Sequence, residues 1–230
     1  MKAIDRLTDA HEAAQAGRHE EALNEYIWFH EHALQEDRAL RGVRLSFALS
    51  FWKELGEAYP PATAALLALR DRKVSILSAG IQDWELFNDV SALNETLGEP
   101  RNTYELFLHV HRTVPDFANR CIRLAMPSLV MVEDFELARH YLGDPEIGAR
   151  HLIQGLNDEI HSARSRPTKE QQDRRLEAYA QIAAEDLRII VRILRGSGEG
   201  ARADAVLASA LRAVDDADAR TVMSRSLATN

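Results

Sequence analysis

The sequence predicts an all-α protein made of successive antiparallel helix pairs. Three observations carry this prediction. Apolar residues recur at spacings of three and four along most of the chain, which is the period of one helix face. The 230 residues include only 11 Gly and 7 Pro, too few for the many tight turns of an all-β protein. Those breakers are also grouped, at Gly17, Tyr59-Pro60-Pro61, Gly98-Glu99-Pro100 and Gly143-Asp144-Pro145, and cut the chain into helix-length segments. Strong helix formers, Ala, Leu, Glu and Arg, fill what lies between.

Each segment has its own start and stop. The first helix is expected over Ala3–Ala16, with Leu7, Ala10 and Ala14 on one side and Gly17 as its left-handed cap. The second runs over His19–Gln35, with Glu20 and Glu21 at its positive end. The third covers Arg38–Tyr59 and stops because Pro60 disfavours helix in the residue before it. Pro61 then opens a fourth helix that reaches Ser78. A fifth spans Asp83–Leu97 and a sixth Asn102–Arg112, the latter capped by Asn102 or Thr103. The seventh, Phe117–Val132, should be kinked or interrupted by Pro127. Phe135–Leu142, Glu146–Ser165, Lys169–Arg195 and Ala201–Val214 follow, with one more short helix expected within Asp215–Asn230. The whole chain, 1–230, is expected to form one domain, with a linker-like sub-boundary near 165–168 at Ser165-Arg166-Pro167-Thr168.

A phrase recurs within this pattern. Gly17 is followed five residues later by Ala22, then by Tyr26 and Phe29. Gly98 is followed five residues later by Thr103, then by Phe107, Val110 and Pro115. Ala138 follows Phe135, and Ala203 follows Gly198 and precedes Leu207 and Ala210. Small residues at these points let two helices approach closely while aromatic rings fill the adjoining gaps. In this phrase the chain resembles the tetratricopeptide-repeat family. The match at residue level covers the first and third hairpins, and the remainder agrees in architecture only. The resemblance implies a right-handed α-solenoid of stacked antiparallel helix pairs. It also implies a concave groove, lined by the first helix of each pair, that binds an extended peptide. Arg44, Trp52, Trp84, Asn88 and Asn94 are the groove residues this expectation selects. The aromatic ones would be anchors, and the polar ones would clamp a peptide backbone or carboxylate.

Composition narrows the partner. The formal net charge is −8, and the basic clusters Arg38/Arg41/Arg44 and Arg70/Arg72/Lys73 are interleaved with apolar or acidic residues. A nucleic-acid surface needs a clustered positive face, so no nucleic-acid partner is expected. No apolar run approaches the ~18 residues that span a bilayer, and Met1–Asp9 has no signal-peptide core, so a cytoplasmic protein without a membrane partner is expected. The expected function is non-catalytic binding of a protein or peptide. An immunity or antitoxin-type protein that occludes a basic toxin is the alternative suggested by the acidic charge, and a metal-binding or enzymatic helical protein using the histidines is a further one.

Features with chemical potential are sparse, and neither metal nor cofactor is expected. His30/His32 and His109/His111 are His-x-His pairs, but residues two apart on a helix point about 200° apart, so one ion cannot use both. Gly196-Ser197-Gly198-Glu199-Gly200 precedes a helix but lacks the Lys-Ser/Thr ending of a phosphate loop. His11, Glu12, His19 and Glu20 straddle a turn and read as solvated residues that could gather into a polar cluster. Cys121, the one cysteine, excludes an internal disulfide. It reads as a small buried hydrophobe, with a thiolate assisted by Arg120 and Arg123 as the reactive alternative.

Overall fold

A computed structural model of the protein describes residues 2–228, and these are helical with no strand among them. The last two residues of the predicted terminal helix, Thr229 and Asn230, lie outside the described residues. The chain divides into two compact units, the first ending at Ser128 and the second beginning at Leu129.

The first unit contains α1 (Ala3–Gln15), α2 (His19–Glu36), α3 (Arg41–Leu45), α4 (Phe47–Ala58), α5 (Pro60–Ser78), α6 (Trp84–Leu97) and α7 (Pro100–Thr113). The division between the units falls within α8 (Pro115–Met131). The predicted hairpins are present: α1 packs on α2, α4 on α5, and α6 on α7. Each pair also meets the next, through α2 with α4, α1 with α4, α5 with α6, α4 with α6 and α5 with α7. Ala10, Ala13 and Ala22 are fully buried where α1 meets α2, and the rings of Tyr26, Phe29 and Trp52 fill the space beside them. Removing one such large apolar side chain from water contributes about 1.5–3 kcal/mol.

The two glycines that marked the repeat phrase behave alike. Gly17 and Gly98 adopt φ of +78° and +74°, a conformation that costs any residue with a Cβ. In both, the next amide reaches back to the helix: Arg18 N–H donates to Ala13 O at 2.9 Å and Glu99 N–H to Asn94 O at 2.8 Å. The helix is thereby stopped and the chain reversed.

Three local expectations need correction. The segment 38–59 is not one helix. A 3-10 turn at Arg38–Leu40 leads into the short α3, and the backbone breaks at Ser46 (φ −122°, ψ −89°) before α4. Ser46 Oγ donates to Gly42 O at 2.7 Å, a local bond that competes with helix continuation. Asn102 and Thr103 do not cap α7, because Pro100 occupies its first turn with Glu99 as the flanking residue. Pro127 does not interrupt α8, which runs four residues beyond it to Met131.

The second unit contains α9 (Phe135–Leu142), α10 (Pro145–Arg164), α11 (Lys169–Gly196), α12 (Gly200–Arg212) and α13 (Ala217–Ala228). The 28-residue α11 is the common partner of α9, α10, α12 and α13. Its Ala180, Ala184, Leu187 and Leu194 form the centre of a core completed by Ile153, Val206 and Met223. The 165–168 segment is a turn inside this unit. It joins α10 to α11, which pack on each other, and Arg164 beside it pairs with Asp216 at 2.7 Å. The change of unit comes at 128/129 instead, inside a helix and next to Pro127.

Candidate functional site

The densest chemistry in the first unit is buried. Asp89 on α6 receives three side chains from three other helices. Arg44 of α3 makes a two-pronged pair with it, Nη1 to Oδ2 at 3.1 Å and Nη2 to Oδ1. Lys73 of α5 places Nζ 2.7 Å from Oδ2, and His30 of α2 has Nε2 at 3.7 Å. Arg44 Nη1 also donates to His30 Nε2 at 3.1 Å and to His30 O at 3.2 Å. Arg44 and Asp89 are each 4% exposed.

This surrounding sets the protonation states. Burial raises the cost of the Asp89 carboxylate, but the nearby His30, the bonds from Arg44 and the charges of Arg44 and Lys73 outweigh it and hold its pKa well below the ordinary range. Burial pushes the His30 pKa down, and the Arg44 and Lys73 charges add to that, against the opposing pull of Asp89. The result is a neutral imidazole between two cations and one anion. Accepting from Arg44 at Nε2 leaves the ring proton on Nδ1, a buried atom with no partner. A charged group enclosed this way ties four helices together.

The five sequence-selected residues separate accordingly. Arg44 is in this cluster. Trp52 is buried against Tyr26, its Nε1–H donating to Ala62 O at 3.0 Å. Asn94, fully buried, donates to Thr103 Oγ1 at 3.0 Å and accepts from Arg70 at 3.3 Å, joining α5, α6 and α7. These three are interior, and the groups they bond to lie inside the unit, although Arg44 Nε is buried without a partner. Trp84 and Asn88 are half-buried on α6, and the Arg41 guanidinium lies 5.9 Å from the Trp84 ring centre. The structure therefore does not gather the five into one surface.

Sequence reasoning missed Asp89 and Lys73. The signal was present for Asp89, which stands three residues after Leu86 and four before Leu93, on the inward side of an amphipathic helix. A carboxylate there requires a buried cation.

The histidine pairs point to different surroundings. His30 enters the ion cluster, whereas His32 Nδ1 lies 2.9 Å from Trp28 O and its ring stacks on Trp28. His109 is exposed and His111 stacks on Phe107. Among the described residues no group of three or more His, Cys, Asp or Glu has the placement of a metal site. Cys121 is fully buried, and burial pushes its thiol up to about 12 against the opposing charge of Arg120, which opposes the thiolate reading.

An open cleft of about 370 Å³ lies between α1 and α4. Its walls include His11 and Gln15 from α1, His19 at the start of α2, and Phe51, Glu54 and Glu57 from α4. The His11 ring stacks on Phe51 with centroids 4.0 Å apart. Thus His11 and His19 do come together across the first turn, but over an aromatic floor supplied by α4. A second cleft, of about 360 Å³ and lined largely by alanines, separates α10 from α12 in the second unit. No helix among the described residues is long and apolar enough to cross a membrane.

Compared with known proteins, the chain matches no family model, no curated protein and no solved structure.

Proposed function

We propose that the chain is a non-catalytic, cytoplasmic helical-repeat scaffold, tetratricopeptide-like in its pairing, that binds a protein or peptide segment along the first helices of its pairs. The observation that carries this reading is the order of contacts in the first unit. Consecutive hairpins pack on each other in chain order, α1/α2 on α4/α5 and α4/α5 on α6/α7, with buried alanines where α1 meets α2, the succession expected of stacked pairs. The first helices of consecutive pairs, α1 and α4, leave a cleft between them where such proteins hold a ligand. The buried Arg44–Asp89 cluster favours the same reading, since it spends the unit's most polar interior residues on holding helices.

The test is affinity purification from the native cell followed by binding of each recovered partner to purified variants. Substitutions on the cleft side of α1 and α4 (Gln15→Ala, Glu54→Ala) should weaken capture at least several-fold, and substitutions on the exposed side of α5 (Arg72→Ala) should not. A partner whose affinity ignores every cleft substitution would remove the groove from the proposal.

A further inference from the structure

The α1/α4 cleft has a one-sided charge. Glu54 and Glu57 line it, and no lysine or arginine does. Phe51, Glu54, Leu55 and Ala58 stand at i, i+3, i+4 and i+7 on one face of α4, and Glu57 lies at its edge, one turn beyond the exposed Lys53, with which it forms no ion pair. On α1, His11 and Gln15 share a face, and the exposed Glu12 borders it. Glu54 and Glu57 form no ion pair with another described residue, unlike Glu25, Glu85, Glu146 and Glu199, each of which holds an arginine. Behind the wall the Tyr26 phenol is buried with its hydroxyl unpartnered; burial, and then the nearby Glu54 charge, push it up to about 12. The cleft therefore joins an aromatic floor to two unneutralised carboxylates, the combination that receives a cation. Apolar surface continues from it. Phe47, one turn before Phe51 on α4, is 64% exposed, and Ile4, two turns before His11 on α1, is 39% exposed.

We propose that this cleft takes an arginine or lysine side chain from a basic segment of a partner protein, with Phe47 and Ile4 receiving an apolar neighbour in that segment. The inference rests on the scaffold reading above and specifies its ligand. Charge complementarity selects the occupant: the chain carries a net −8, and the cleft presents Glu54 and Glu57 beside His11 and His19 with no lysine or arginine in its lining.

The test uses the full chain labelled with nitrogen-15 and titrated with acetyl-Leu-Arg-Ala-Leu-Arg-Ala-amide. The same peptide with Gln in place of Arg, and with Glu in place of Arg, serve as controls. The Arg peptide should shift backbone amides within 11–19 and 51–58, and the Glu peptide should not. Because the paired charges are partly exposed, the Gln peptide and the Glu54→Gln/Glu57→Gln variant should each weaken binding about tenfold, with far-ultraviolet circular dichroism of the variant unchanged. Equal affinity of the Arg and Gln peptides at these amides would overturn the charge inference and leave the peptide-scaffold reading standing. Shifts confined to other residues, or none with any peptide, would overturn the inference, while the partner-capture test above judges the scaffold reading separately. Shifts of the same amides on concentrating the protein without peptide would assign the cleft to a second copy and overturn it as well.

Discussion

The Arg44 guanidinium and the Asp89 carboxylate, 45 residues apart in sequence, meet as a two-pronged ion pair inside the first unit. Their partners, His30 and Lys73, come from two further helices, so the pair joins four elements that share no local sequence relation.

Removing one member strands the other. Asp89→Leu or Arg44→Met should destabilise the first unit by about 3–5 kcal/mol, the cost of a buried charge left without its counter-ion. Asp89→Leu combined with Arg44→Met should cost much less than the sum of the single changes, because both charges leave together. Urea denaturation of the four proteins measures this, and additive costs would show that the two side chains act independently.

Acid should loosen this unit in two stages. His30 binds a proton less readily folded than unfolded, so stability is full above its ordinary value of 6.5 and falls as the pH drops below it. Asp89 is also held below its ordinary 3.8, so its contribution is present above that value and is lost as the pH falls further. The urea midpoint should therefore decline between about pH 6.5 and 5, before carboxylates titrate. His30→Gln should flatten that first decline while lowering the plateau. An unchanged slope in the variant would exclude His30 as its source.

Gly196 marks a close approach in the second unit. A Cβ at this position would lie 2.2 Å from the Phe135 ring, so Gly196→Ala should cost about 1–3 kcal/mol through displaced packing. Combining it with Phe135→Leu should recover part of that loss in thermal denaturation. No recovery would place the cost elsewhere than in the ring contact.

Cys121 should be silent to thiol reagents in the folded protein. Its thiol is buried and pushed up to about 12, so Ellman's reagent should label it far more slowly in buffer than in denaturing urea. Equal rates would mean that α8 opens readily around it.

Much of the helical framework was legible in the residues themselves. Gly17 and Gly98 stop their helices with φ above zero, the Pro60-Pro61 pair stands in the first turn of α5, and Phe135–Leu142 is bounded as its apolar spacing predicts. These are local rules, satisfied by backbone geometry within a few residues. The candidate site was legible only in part. His11 and His19 could be seen to stand on either side of one turn, but the rings they meet, Phe51 and Tyr59, come from another hairpin. Arg44, Trp52 and Asn94 looked like ligand contacts because Arg, Trp and Asn serve partners and cores alike.

The sequence alone determined that the chain is helical, where most helices begin and end, and that its surface is acidic, because periodicity, breakers and charge act locally or by simple sum. Tertiary structure decided which polar residues face inward and that two glutamates share an aromatic cleft with no lysine or arginine in its lining. Those outcomes depend on desolvation and pairing between helices dozens of residues apart, and no local pattern encodes which distant charge will arrive to balance a buried one.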